Sequence, residues 1–289
     1  GALDVPEPKE VPAVGVYHPR MPGRIGDDPH AVPGPQGACL GTVGVLLMRS
    51  YVLAGDTAHY DGVIEALEAR GLRAVPVFAA GLDGRGPVED FFLSEHGVKI
   101  DAFLSLAGFS LVGGPAYNDA KAAEELLARL DVPYLAAHAL EFQRLDQWQS
   151  SARGLTPIES TMMVAIPELD GATGPTVFGG RIADGDMGCD GCPWGCRNAT
   201  ATRKMRPCPE RIERLADRID RLVRLRRSAR FERNLAVVLY GFPPNAGAVG
   251  TAAHVAVMES LHHMLHALKA EGWDVDPPET VDDLREAVL

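Results

Sequence analysis

Residues 42–79 read TVGVLLMRSYVLAGDTAHYDGVIEALEARGLRAVPVFA, and the architecture of the chain follows from how they divide. TVGVLLM (42–48) is apolar throughout and too short for a helix, so it predicts a buried strand. TAHYDGVIEALEARG (57–71) changes to helical spacing, with Asp56 or Thr57 as its cap and Gly71 at its end. LRAVPVFA (72–79) returns to an unbroken apolar run. Strands without alternation, joined by helices, imply a parallel sheet covered on both faces.

The rhythm continues outward. A helix is expected near 87–96, a strand at 101–107 (DAFLSLA), a helix at 117–130 and a strand at 132–137 (VPYLAA). Upstream, AVGVYHP is a short strand candidate within an irregular segment, 1–41. The expected fold class is therefore α/β, Rossmann-like or flavodoxin-like parallel layers with flanking helices and an irregular cysteine-rich insert. The expected divisions are 1–41, a first α/β domain at 42–154, a linking region at 155–208, and 209–289. This last division opens on a helix from Pro209 with Ile212, Leu215, Ile219 and Leu222 as its buried stripe. A strand at 234–242, a helix at 251–272, a further short strand and a final helix would make it part of a second α/β domain.

Composition narrows the function. The 289 residues are 46% hydrophobic and 23% charged, with 31 Gly and 22 Pro, a soluble, loop-rich balance. No apolar run approaches the ~20 residues of a membrane span, and no basic segment leads into an apolar core as in a secretory signal. A cytoplasmic setting is expected, where thiols stay reduced. The net charge of −11 argues against a general nucleic-acid binder. Residues 197–233 nevertheless carry 13 Lys/Arg against 5 Asp/Glu, a basic band on an acidic body suited to an anionic substrate, a partner subunit or solvent.

Within GCDGCPWGCRNATATRKMRPC (188–208), Cys189, Cys192 and Cys196 are spaced C-x2-C-x3-C, and Cys208 follows. Four thiolates suit a [4Fe–4S] cluster or, as the alternative, structural Zn²⁺. Arg197, Arg203, Lys204 and Arg206 would offset their charge. A reduced loop without metal is the plain alternative, and Cys39 reads as a lone thiol.

Other segments offer weaker chemistry. In LTPIESTMMVAIPELDG (155–171), Pro157 and Glu159 predict a helix start after Thr156 and Pro167 its end, leaving Glu168 and Asp170 in a turn that can receive a cation or protons. LYGFPPNAGAVGT (239–251) supplies Asn245, Gly247, Gly250 and Thr251 as an anion or partner loop, although it lacks the Walker ending. LAGFSLVGGPAYND (106–119) occupies the same position at a strand end. Tyr17 and His18 close a strand and are candidate pocket residues. Glu259, His262 and His266 share a helical face that a solvated polar surface explains.

Several of these peptides together resemble one family, the large porphyrin-binding H subunits of magnesium chelatase. They are SLVGGPAYNDA, VPYLAAHALEFQRLDQW, RGLTPIESTMMVAIPELDGATGPTVFGGR, CPERIERLADRIDRLVRLRR and GFPPNAGAVGTAAHVAVMESLHHMLHALKAEGWDV. The cysteine-rich insert resembles that of members in photosynthetic bacteria, which points to the bacteriochlorophyll branch. The cobaltochelatase large subunit shares the broader pattern. The resemblance implies an internal fragment of a longer subunit that holds protoporphyrin IX while Mg²⁺ is inserted, with ATP used by two partner motor subunits. It also implies that the isolated fragment is inactive. On that reading Glu159, Glu168 and Asp170 are catalytic candidates, and Tyr17, His18, Trp148 and Arg181 are substrate-binding candidates. An iron–sulfur cluster would be structural or regulatory, since magnesium insertion moves no electrons. The competing class is a non-enzymatic module in which the basic helix from Pro209 docks a partner.

Overall fold

The computed structural model describes residues 10–114, 117–182, 204–239 and 255–288. The chain divides into two compact units, Gly1–Arg224 and Leu225–Leu289.

The first unit is built on one mixed sheet. Its strands are β1 (Val14–Tyr17), β2 (Ile25–Gly26), β3 (Gly41–Met48), β4 (Leu72–Ala79), β7 (Ala102–Ser105), β8 (Tyr134–Arg144), β9 (Thr173–Arg181) and β10 (Met205–Pro207), with a separate two-stranded hairpin of β5 (Leu93–Ser94) and β6 (Gly97–Val98). The spatial order is β10-β9-β8-β7-β3-β4-β1-β2. Neighbours from β9 across to β4 are parallel, whereas β1 and β2 at one edge and β10 at the other are antiparallel additions.

Helices α1 (Arg49–Ala54) and α2 (Ala58–Glu68) join β3 to β4, α3 (Arg85–Phe92) follows β4, and α4 (Ala120–Leu130) joins β7 to β8. Each strand splits its apolar side chains between two cores, as its period of two requires. Val43, Val45, Ala102, Leu104, Leu135 and Ala137 face α2 and α8 (Pro209–Arg227). Leu46, Phe103, Tyr134 and Ala136 face α3 and α4. Burial on both faces is why these strands read as continuous apolar runs. Arg70, just beyond α2, ties α8 to that face with 2.5 Å and 2.7 Å ion pairs to Glu213 and Asp217.

The chain after β8 forms α5 (Leu145–Ser150) and then one helical stretch. That stretch is α6 (Pro157–Glu159), a π-helical turn at Ser160–Ala165 and α7 (Ile166–Leu169). Pro167 was expected to end the element, but the helix runs through it to Leu169. The wide π turn bonds Ile166 N–H back to the Thr161 carbonyl, and it lies just ahead of the residue that has no N–H to give.

The α/β class with flanking helices holds. In the second unit, α9 (Val257–Ala270) and α10 (Val281–Val288) are present, but α9 starts later than residue 251. Residues 234–239 form no strand. Leu235, Val237 and Val238 are exposed there, so the apolar run has no sheet to complete among the described residues. The expected strand between α9 and α10 is also absent from these residues.

Candidate functional site

In an open parallel sheet, ligands meet the loops at the carboxyl ends of the strands. Here the loop after β7 forms part of that rim, and the turn at Asp170, which leads into the amino end of β9, is hydrogen-bonded to that loop. Leu46–Met48, Ala79, Gly81–Gly84, Ala107 and Phe109–Leu111 line a cleft at the ends of β3, β4 and β7. The room inside it for water-sized molecules is only about 20 Å³. Sites that bury a whole drug-sized ligand run to roughly 300–1,000 Å³, so this is a shallow crevice that offers a contact wall and not a pocket.

The predicted carboxylates separate into different environments. Glu159 closes a capping box, its Oε2 accepting from Thr156 N–H at 2.9 Å, Thr156 Oγ1 at 2.8 Å and Gln143 Nε2 at 2.5 Å. The side chain is fully buried, and Oε1 has no partner among the described residues. Asp170 is also buried. Its Oδ2 accepts from Leu111 N–H and its Oδ1 from Asn118 Nδ2, each at 2.6 Å. Glu168 in α7 is exposed beside Leu169, an apolar residue left 68% open to solvent. Of the three, Glu168 has the freest access to a ligand.

Sequence reasoning missed His138. It lies in β8, buried, with neither ring nitrogen partnered among the described residues. Burial pulls its pKa down to about 4, while the Glu159 charge pushes the other way. An imidazole inside the apolar run YLAAHAL was the available signal. His59 on the opposite sheet face is similar. Its ring packs in a cluster with Tyr51, Tyr60 and Phe178, and burial, with the Arg181 charge, lowers its pKa to about 3.

Tyr17 and His18 lie elsewhere. Tyr17 donates to Asp61 at 2.5 Å with the Arg24 guanidinium over its ring. His18 Nε2 meets Glu68 at 3.1 Å and its Nδ1 accepts from Arg20 N–H, so both nitrogens are occupied; burial lowers its pKa despite the Glu68 charge. Their strand is four places from β8 in the sheet, roughly 19 Å at ~4.8 Å per step. The structure therefore does not bring them to Glu159 and Asp170. Trp148 and Arg181 come closer together. Arg181 ends β9 opposite Arg144 of β8, and Trp148 in the following helix is half-buried under the Arg211 guanidinium, 5.2 Å from its ring centre.

The expectation of a [4Fe–4S] cluster or Zn²⁺ on Cys189, Cys192, Cys196 and Cys208 is overturned. Among the described residues no group of three or more His, Cys, Asp or Glu side chains converges as metal ligands. Cys208, the one cysteine of the four within those residues, is buried and packed with Leu140, Leu145 and Val177. Such apolar surroundings make a charged thiolate ligand costly. Cys189, Cys192 and Cys196 lie outside the described residues, as do Asn245, Gly247, Gly250 and Thr251. In the second unit, His262 Nε2 is 2.9 Å from the Pro278 carbonyl and 3.3 Å from His266 Nε2, a pair without a third ligand among the described residues.

The family model described as CobN/Magnesium Chelatase matches residues 1–289. The chain belongs to the CobN/magnesium chelatase family. Among its CobN/magnesium chelatase relatives, the magnesium-chelatase H subunit of Cereibacter sphaeroides is 58% identical over 98% of this chain and 24% of that protein. The magnesium-chelatase H subunit of Rhodobacter capsulatus is 55% identical over 98% and 23%. Among solved structures, the catalytic subunit of cobaltochelatase from Mycobacterium tuberculosis superposes with a TM-score of 0.69 at 25% identity, covering 99% of this chain and 22% of that one. The chain thus spans about a quarter of the length of these CobN/magnesium chelatase relatives.

Proposed function

We propose that this chain is part of the porphyrin-binding subunit of an ATP-dependent magnesium chelatase, which inserts Mg²⁺ into protoporphyrin IX on the route to (bacterio)chlorophyll. The 58% identity to a magnesium-chelatase H subunit carries the reading. It also favours the magnesium branch over the cobalt one, to which the matched structure is only 25% identical. Two ATPase motor subunits are the proposed partners and users of ATP, the setting is cytoplasmic, and the isolated chain is inactive without them. No described helix is long and apolar enough to cross a membrane. The finer fold reading is flavodoxin-like. The five parallel strands, numbered in chain order, lie in the sheet as 2-1-3-4-5.

Insertion requires removing water from Mg²⁺, a hard cation that prefers oxygen ligands, and removing two pyrrole N–H protons. Glu168, exposed in α7, is the carboxylate with the freest access to the ion or a proton. Apolar Phe109, Leu111, Leu82 and Leu169 suit the edge of a macrocycle, and Arg181 suits a propionate. Protoporphyrin IX titrated into the chain, followed by tryptophan fluorescence, tests this reading. Saturable quenching is expected, and a folded chain whose emission is unchanged by the porphyrin overturns it for this segment.

A further inference from the structure

Asp170 has a composition and position that suit chemistry, but its contacts point to another task. It is 2% exposed, and both of its oxygens accept hydrogen bonds from the loop 106–119 across 59 and 52 residues of sequence. Oδ2 takes the Leu111 backbone N–H and Oδ1 takes Asn118 Nδ2. The same Asn118 nitrogen donates to Ser110 Oγ at 3.0 Å. Ser110 in turn donates to the Val112 carbonyl at 2.9 Å and accepts from Val112 N–H at 3.2 Å. Val112 also accepts from Asp119 N–H at 3.0 Å, at the cap of α4.

Among the described residues this is a connected network, and the Asp170 carboxylate is the charged group in it. It spans two segments that meet only through the fold, the turn after α7 and the loop after β7. Hydrogen bonds to an ionised acceptor are the stronger kind, and a buried carboxylate is tolerated where both oxygens are satisfied. The loop it holds supplies Phe109, Ser110 and Leu111 to the wall of the cleft at the ends of β3, β4 and β7. Two residues earlier in the same turn, Glu168 faces solvent. The end of α7 and the residue that caps it therefore carry one exposed carboxylate, Glu168, and one buried, Asp170.

We propose that Asp170 is a positioning residue, whose carboxylate fixes Ser110–Val112 and Asn118 so that Phe109 and Leu111 form the wall that receives the edge of a planar, apolar tetrapyrrole. The ligand class rests on the function proposed above. The fixing of the loop does not. Asp170 itself neither binds Mg²⁺ nor takes a proton from the substrate.

The test uses the full-length subunit with Asp170→Asn, Asn118→Asp and the double exchange Asp170→Asn/Asn118→Asp. Two quantities are read: the protoporphyrin IX dissociation constant by fluorescence, and the hydrogen exchange of the peptide containing Leu111. Asn at 170 can accept from Leu111 N–H but presents an amide to Asn118. Either single change should weaken porphyrin binding about tenfold, the scale of one lost charge-assisted bond, and speed exchange at Leu111. The double exchange restores a donor opposite a carboxylate but removes the donor to Ser110 Oγ, so it should recover a substantial part, and not all, of both losses.

Restored Leu111 protection with binding still weak would mean that the carboxylate at 170 acts on the ligand directly, and would overturn the proposal. Unchanged exchange and affinity in Asp170→Asn would overturn it equally. Should Asp170→Asn fail to fold, Asn118→Ala removes one of the two bonds and must show the same paired loss. If the parent subunit binds no protoporphyrin, the functional reading above fails and the ligand half of this proposal falls with it, while Leu111 exchange still decides whether Asp170 orders the loop.

Discussion

Gly179 stands where β9 meets β10, and a Cβ built there would lie 2.5 Å from the Arg206 carbonyl oxygen and 3.2 Å from His59 Cβ. The first of these is backbone in a paired strand, which cannot step aside as a long side chain would. Gly179→Ala should therefore destabilise the chain by about 1–3 kcal/mol, the usual cost of overpacking, measured as a drop in the urea midpoint at constant slope. An unchanged midpoint would mean that the β9–β10 edge is not held as described. At this scale some of the site was legible. The Thr156–Pro157–Glu159 spacing predicts a capping box, and the hydrogen bonds are those of one. That Glu159 also has an unpartnered oxygen deep in the molecule, within the field of His138, was not legible, because His138 comes from a strand 21 residues earlier.

Among elements, α8 shows how far periodicity reaches. Ile212, Leu215 and Ile219 of the expected stripe are buried, with Ala216 and Val223 beside them, while Leu222 only flanks the core. Ile219→Ala should cost about 2–5 kcal/mol, and Leu222→Ala clearly less, by equilibrium urea unfolding of each variant. Equal losses would move the buried stripe around the helix. The residues from 234 mislead for a physical reason. An apolar run satisfies a strand only when a neighbouring edge takes up its backbone groups, and composition carries no record of that neighbour. The helix through Pro167 misleads in the other direction, since a π turn admits a proline that an unbroken α-helix would not.

For the molecule as a whole, three buried imidazoles, His18, His59 and His138, shape the acid response, the last two most strongly. His59 and His138 have folded pKa values near 3 and 4, below the ordinary 6.5. The unfolded chain therefore binds more protons than the folded one between about pH 6.5 and pH 4. Their neutral burial costs nothing above that range and stability is lost as pH falls through it. The loss is at most about 1.4 kcal/mol per histidine per pH unit. Urea midpoints measured at pH 7, 6 and 5 should fall in that order, and His59→Phe should flatten the trend. A midpoint independent of pH would contradict both assignments.

The layered α/β plan, the helix caps and the family are written in the order of amino acids alone, because unbroken apolar strands, capping residues and long distinctive peptides are local properties of the chain. Folding settled the rest: which carboxylate reaches solvent and which ties a loop, that Tyr17 and His18 lie strands away from Glu159, and that Cys208 packs among Leu140, Leu145 and Val177. These depend on partners brought together from distant segments. Burial and hydrogen bonding, which set the charge and access of each group, exist only once those segments have met.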